Sequence, residues 1–360
     1  MRPGVWDAMA PFAGDVFGNA SGIHGVSRRA KNALEEAREQ AAGLLHARPQ
    51  EIVFTAGGTE ADNLAVKGVG LRHRERQVVA SGIEHEAVVE SVAFLDSLGV
   101  PTAVVPVTRD GVVDLDVLPE VVAGASLMSL MLANNETGVV QPVAAAAAAA
   151  RAAHPDIVVH TDAVQAFSSH ALDVASLGVD LLSLAGHKFG GPKGVGILYV
   201  RSGVELEPVL HGGGQELGRR SGTHNVMGAV GMVAAMQLAS DDRARFVERT
   251  ARERSALEAE LLEVGALITG KDVDRLPQHS HFRLPGHLSE TLLIRLDSIG
   301  VAASAGSACQ SGAVTPSHVT TAMGWDTFAA GESLRFTFGW DSQPGDGLTA
   351  AAAVIEAARS

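Results

Sequence analysis

Apolar residues recur in two rhythms along this chain. Between residues 26 and 45, Ala30, Ala33, Leu34, Ala37, Ala41 and Leu44 fall at the spacing of one helical face, with Arg, Lys and Glu on the other side. That pattern predicts an amphipathic helix. The short run Glu51-Ile52-Val53-Phe54 then reads as a strand, Thr55-Ala56-Gly57-Gly58-Thr59 as a turn, and Ala61-Asp62-Asn63-Leu64-Ala65-Val66 as the next helix. Further strand candidates at 77–80, 102–105, 126–132, 157–160, 181–184 and 195–200 are interleaved mostly with helical patterns. Short continuous apolar runs suit strands covered on both faces, so the alternation predicts a doubly wound, mainly parallel α/β sheet.

The pattern changes after a helix expected near 226–238. Residues 241–263 are rich in charge and read as a long, partly exposed helix leading away from the sheet, which places a domain boundary near Ser240. Short strands around 266–269, 281–284 and 333–338, with a helix at 290–299, describe a smaller α+β domain. The expected organisation is a large domain over 13–240 and a small one over 241–360, with an N-terminal helix at 1–12 packed on the small domain. A chain of 360 residues accommodates two cores. The alanine run from 144 to 150 continues into Arg151-Ala152-Ala153 and suits a buried helix better than a membrane span.

Charge and composition narrow the function classes. With 28 basic and 41 acidic residues, a formal charge of −13 argues against direct binding of nucleic acid phosphates. Neither a long uninterrupted apolar stretch nor the apolar core of a signal peptide is seen, which leads us to expect a soluble, cytoplasmic protein without a membrane partner. The single cysteine, Cys309, cannot form a disulfide within the chain, in keeping with a reducing compartment. Its neighbours, Ala302 to Gly312, are small and carry little apolar bulk, so an exposed, mobile loop displaying a reactive thiol is expected there.

Two polar groups close adjacent strand candidates. Asp162 ends the run Ile157-Val158-Val159-His160, and Lys188 follows Val179-Asp180-Leu181-Leu182-Ser183. Groups at the ends of parallel strands face a ligand crevice. A lysine amine can hold an aldehyde as a Schiff base, and a nearby acid can keep a pyridine nitrogen protonated, so the pair describes a pyridoxal phosphate site. Gly57-Gly58-Thr59, between a strand and a helix, would aim backbone N–H groups at the phosphate, although Thr59 and Asp62 also fit a helix-capping pattern. His85 stands at another strand end and could lie against the ring and exchange protons with substrate; a surface or capping role is the alternative. Asn135, in Asn134-Asn135-Glu136-Thr137-Gly138, could bind a ring oxygen or a substrate carboxylate, or simply make a turn. Arg335, within an apolar strand, needs an anionic partner, either a substrate carboxylate or an internal acid. No metal site is assigned.

Read in order, these segments resemble the cysteine desulfurases (NifS/IscS type) of the class-V aminotransferase group. The motifs are Phe17-Gly18-Asn19-Ala20-Ser21, Phe54-Thr55-Ala56-Gly57-Gly58-Thr59-Glu60-Ala61-Asp62-Asn63, Glu84-His85, Asn134-Asn135-Glu136-Thr137-Gly138, Asp162-Ala163-Val164-Gln165, Gly186-His187-Lys188, Arg220-Ser221-Gly222-Thr223 and Gly306-Ser307-Ala308-Cys309. The resemblance implies the fold-type I architecture of pyridoxal phosphate transferases, with Lys188 as Schiff-base lysine, Asp162 on the pyridine nitrogen, Gln165 on the ring hydroxyl and His85 stacked on the ring. It further implies phosphate contacts from Gly58, Thr59 and His187, with Thr223 contributed by the second subunit of a homodimer. Asn135 and Arg335 would take the carboxylate of L-cysteine, and Cys309 would carry the persulfide to a sulfur-acceptor protein for iron–sulfur cluster assembly, tRNA thiolation or DNA sulfur modification. Selenocysteine cleavage, transamination and a noncatalytic partner role are the rival readings. Residues 310–317 look like the longer-loop branch. Two departures stand out. Relatives usually open with a strand and an Ala-Ala-Thr-Thr segment, so a truncated start is expected, and Ala185 replaces a serine that in many relatives donates to the phosphate. Loss of that one bond costs on the order of 1 kcal/mol, too little to abolish binding.

Overall fold

The computed structural model describes residues 1–306 and 316–359. Two compact units are formed. The first comprises Met1–Val105, Leu115–Leu132 and Pro142–Arg243, and the second Pro106–Asp114, Ala133–Gln141 and Ala244–Ser360.

The first unit is built on a seven-stranded sheet of β1 (Ile52–Thr55), β2 (Val78–Ser81), β3 (Thr102–Val105), β4 (Leu127–Ser129), β5 (Val158–Asp162), β6 (Leu181–Ala185) and β7 (Gly196–Val200), in the order β1-β7-β6-β5-β4-β2-β3. All pairings are parallel except the two made by β7, which runs antiparallel to both β1 and β6. The expected α/β sheet is therefore present, with one strand reversed. β1, β2, β4, β6 and β7 are buried along their whole length, as their apolar runs require. Leu64, Val66 and Val69 of the helix Gly58–Arg72 share a buried cluster with Val53, Val78, Leu127, Leu181 and Leu198. Each such side chain contributes about 1.5–3 kcal/mol on burial. The alanine-rich helix Val143–Ala153 buries Val143, Ala146, Ala147 and Ala150, one face at the i, i+3, i+4, i+7 spacing. It is thus half-buried rather than enclosed.

In the second unit β8 (Leu267–Ile268), β9 (His279–Arg283) and β10 (Ser333–Thr337) form an antiparallel sheet ordered β10-β9-β8. Its core joins Phe282, Leu334 and Phe336 with Leu257, Leu292 and Val354 from the helices.

Three features differ from expectation. The two helices expected on either side of Ser240 are one continuous helix, Val226–Glu263; Ala239-Ser240-Asp241-Asp242 contains neither glycine nor proline to break it. The N-terminal residues belong to the first unit, not to the small domain. Arg2 explains this, because its backbone N–H and its Nε donate to the carbonyls of Gly190 (2.8 Å) and Phe189 (3.0 Å), while Val5 and Met9 are buried. Finally, 106–114 and 133–141 belong to the second unit: each folds back on itself (Val107 to Val113, Ala133 to Val140), Gln141 accepts the Val113 N–H and donates to the Gly111 carbonyl, and Val139 bridges to Arg275. No helix among the described residues is long and apolar enough to cross a membrane.

Candidate active site

In the first unit the C-terminal ends of parallel strands bring the expected groups to one place. Asp162 is the last residue of β5 and pairs in register with Ser183 of β6. β6 leads directly into the short 3₁₀ turn Gly186–Phe189, which exposes His187 and Lys188. Asp162 Oδ1 accepts the Val164 N–H at 2.8 Å, which fixes the carboxylate at the strand end. Burial raises the Asp162 pKa above the ordinary value, while the Val164 hydrogen bond and the charges of His85 and Lys188 pull it back. Those two basic side chains therefore act electrostatically on the same acid. His85 is the N-cap of the helix Glu86–Ser97 and its Nδ1 accepts the Ala87 N–H at 3.1 Å, so the capping role and the position beside Asp162 coexist.

The turn before the helix Gly58–Arg72 is capped by Gly57 without any side-chain hydrogen bond. Thr59 is thus inside the first turn and Asp62 is buried, which removes the capping-pattern reading of that pair. Gly57, Gly58, Thr59, His187 and Lys193 line a cavity of about 680 Å³. Burial and the charges of Lys188 and Lys193 lower the His187 pKa. A helix start with open N–H groups, a threonine hydroxyl and a lysine suit a phosphate. Lys193 was not singled out from sequence; its adjacency to Gly194 after the 3₁₀ turn was the available signal. Glu60 closes the turn, accepting the Ala56 N–H at 2.7 Å and pairing with Arg220 at 2.7 and 3.2 Å.

Two glycines at the turn are tightly packed. A Cβ on Gly58 would lie 2.9 Å from Val164 Cγ2, and one on Gly196 would lie 2.6–2.8 Å from Gly57 backbone atoms and the Leu184 carbonyl oxygen. Backbone cannot yield as a flexible side chain can. Gly196→Ala is therefore expected to displace the Gly57–Thr59 turn, costing about 1–3 kcal/mol of stability and weakening anion binding in this cavity about tenfold or more. Thermal melts and phosphate titration check both. Ala185 is buried at the end of β6, about 3.4 Å from that hypothetical Gly58 Cβ, so its methyl fills the space behind the turn.

Two expected residues stand apart from this cavity. Gln165 follows the Asp162 turn and is half-buried. Thr223 lines a separate cavity of about 430 Å³ with Phe12, Val16, Phe17 and Asn19. Within the second unit, Asn135 and Arg335 are brought together: Arg335 Nη1 donates to the Asn135 carbonyl at 2.7 Å. Burial lowers the Arg335 pKa while the charge of Glu136 works against this, so the internal acid anticipated for the guanidinium is present. The Asn135 side-chain oxygen is buried without a hydrogen-bond partner. Cys309 lies outside the described residues.

A family model for class-V aminotransferases matches residues 1–346. The chain belongs to this family. Among class-V relatives, a cysteine desulfurase IscS from Dictyoglomus turgidum is 41% identical over 344 residues, 94% of this chain and 87% of that protein. The solved structure of a NifS-like protein superposes with a TM-score of 0.93 at 34% identity, covering 100% of this chain and 96% of the other. A structure described as SspA in complex with cysteine gives a TM-score of 0.82 at 33% identity, covering 94% and 95% of the two chains. The fold of this family is the one built from β1–β7 above.

Proposed function

We propose that the chain is a pyridoxal phosphate-dependent cysteine desulfurase, which takes sulfur from L-cysteine, releases L-alanine and holds the sulfur as a persulfide on Cys309 for an acceptor protein. The observation that carries this reading is the buried Asp162 under the charges of His85 and Lys188, beside a glycine turn shaped for phosphate, in a chain so similar to an IscS desulfurase. The residues fit the cofactor: a Cβ on Gly58 would crowd the Val164 methyl at 2.9 Å, and the donor set is that of an anion site.

Gly58, Thr59 and His187, with Lys193, would hold the phosphate, Asp162 would pair with the ring nitrogen, Gln165 with the ring hydroxyl, and His85 would lie against the ring. When bound, the cofactor supplies an aldehyde for an amine and a ring that draws electrons. Lys188 takes the proton from the substrate α-carbon, and His85 assists proton movement at the substrate. Asn135 and Arg335 bind the substrate carboxylate. The Cys309 thiolate attacks the substrate sulfur, forming an S–S bond as the C–S bond breaks, and the carbon takes up a proton to become alanine. The enzyme acts as a cytoplasmic homodimer in which Thr223 serves the partner subunit's phosphate. The dimer reading is supported by Phe17, which is 81% exposed and lines the same cavity as Thr223.

The test is the visible absorbance of purified, cofactor-loaded protein before and after L-cysteine, with alanine and sulfide assayed. A band that shifts as alanine forms is expected; an unresponsive band with no alanine overturns the reading. Cys309→Ser is expected to keep the cofactor band and lose persulfide formation by about 10³-fold or more. Unchanged desulfuration by that variant would remove Cys309 from the mechanism.

A further inference from the structure

Behind Asp162 lies a buried polar array that the reaction above does not use. His160 and Asp162 are two residues apart on β5 and therefore share a face of the sheet. On that face His160 Nδ1 lies 2.9 Å from Ser129 Oγ and Nε2 lies 3.0 Å from Ser183 Oγ. Asp62 Oδ1, from the helix Gly58–Arg72, stands 3.6 Å from His160 Nε2. At the other end Ser129 Oγ donates to Glu84 Oε2 at 3.4 Å, and Glu84 Oε1 accepts from Ser81 Oγ (2.5 Å) and the Met131 N–H (2.8 Å). Asp62, Glu84, Ser129, His160 and Ser183 are all at most 1% exposed.

Three carboxyls in such a space cannot all be ionised. Burial pushes Asp62 well above its ordinary pKa, with the charges of Asp162 and Glu84 adding to this and a Ser183 hydrogen bond opposing it. Burial raises Glu84 to about 7 and lowers His160 to about 3, leaving the imidazole neutral. Asp162 alone has the basic side chains of His85 and Lys188 acting on it, so of the three it is the one that stays ionised. A neutral imidazole donates from one nitrogen and accepts at the other. With Asp62 protonated and Glu84 ionised, one orientation runs through the whole array: Asp62 donates to Ser183, Ser183 to His160 Nε2, His160 Nδ1 to Ser129, and Ser129 to Glu84, while Asp62 Oδ1 is left without a hydrogen-bond partner.

We propose that Asp62 and Glu84 are the two ends of a proton wire through Ser183, His160 and Ser129, sharing one proton between them while Asp162 stays ionised. Reversal of the wire carries the proton from Asp62 to Glu84: each group passes one proton onward, Asp62 becomes the carboxylate and Glu84 the acid, with no net change. Asp62 and Glu84 are positioning residues acting through Asp162, and their bearing on catalysis rests on the pyridoxal phosphate reading. The charged and titratable groups facing the wire are Asp62 from the helix, Glu84 and His85 from the end of β2, Asp162 from β5 and Lys188 after β6.

The test reads the infrared carbonyl absorption of protonated carboxyls in cofactor-free protein. At pH 8 the parent is expected to show a protonated-carboxyl band that disappears in Asp62→Asn, persists in Glu84→Gln and moves to higher frequency in Ser183→Ala, which removes the hydrogen-bond partner of Asp62. Lowering the pH toward 6 adds the Glu84 band, with a midpoint displaced by about one pH unit in Ser183→Ala because the wire is cut. If Asp62→Asn does not fold, Ser183→Ala carries the test alone. A band unchanged in frequency and a Glu84 midpoint unmoved in Ser183→Ala overturn the proposal. In cofactor-loaded protein, the pH midpoint of the visible absorbance should move in the same variants. Absence of any visible band in the loaded parent would defeat the cofactor reading while leaving the infrared result standing.

Discussion

Lys188→Ala is expected to lower alanine formation from L-cysteine by about 10³-fold or more, the range attributed to a positioned proton-transfer group combined with loss of a covalent anchor. The expected loss is chemical rather than structural. Lys188 sits exposed on the 3₁₀ turn after β6, and substitutions at exposed positions normally change stability by no more than about 0.5 kcal/mol. A melting temperature near that of the parent, together with loss of the parent's visible band, is the expected pair of results. A second consequence follows from Asp162. The Lys188 charge is one of the forces opposing the burial-driven rise of the Asp162 pKa, so its removal lets Asp162 rise further. Any residual activity should therefore need a higher pH than the parent does. Lys188→Arg, which keeps the charge but not a nucleophilic amine, should restore the pH profile without restoring the rate. Parent-like turnover in Lys188→Ala would place the chemistry elsewhere.

The groups that sequence reasoning found are those whose position follows from a strand end. Asp162, Lys188 and His85 each close an apolar run, and apolar runs of strand length are visible without coordinates. The reversal of β7 was not visible, because an antiparallel strand buried on both faces has the same composition as a parallel one. The join between the helices on either side of Ser240 was missed for a related reason. The shift from apolar to charged residues records a change of surroundings along Val226–Glu263, not a break in backbone hydrogen bonding. Most instructive is Asp62. Its spacing from Thr59 imitates a helix cap, but the cap is Gly57 and the carboxyl is buried against His160. His160 and Glu84 likewise show no role in their motif neighbourhoods, since pairing between β4, β5 and β6 is what brings Ser129 and Ser183 to the same imidazole. Such convergence is a property of the sheet and has no signature in local spacing.

Glu216→Gln is expected to destabilise the first unit by about 3 kcal/mol, the lower end of what breaking a buried ion pair costs, because Arg38 keeps Glu35 as a second partner at 3.3 Å. The side chain is 1% exposed and receives two parallel hydrogen bonds from Arg38, at 2.8 and 2.9 Å, together with the Phe54 N–H at 3.1 Å. His224 Nε2 lies 3.1 Å away. Burial alone would raise this carboxyl, but hydrogen bonds from His224 and Arg38, the Arg38 charge and the Phe54 N–H hold it at about 2, below the ordinary 4.5. Because the folded value is depressed, the stabilisation is fully present above about pH 4.5 and is lost as the pH falls through the folded value. A displacement of that size corresponds to about 3 kcal/mol. The deficit of Glu216→Gln relative to the parent should consequently be large at pH 7.5 and shrink steadily below pH 4.5, as the parent loses what the variant never had. Urea unfolding at pH 7.5 and 3.5 measures it; an equal deficit at both would show that packing, not charge, holds this corner. Arg38→Lys should not substitute, because an ammonium cannot supply two parallel donors to one carboxylate. The effect reaches the proposed cofactor site through Phe54, which Glu216 pins one residue before Thr55 and the Gly57–Thr59 turn. Loosening that hydrogen bond frees the end of β1, so Glu216→Gln should also bind pyridoxal phosphate more weakly at pH 7.5, even where the protein remains folded.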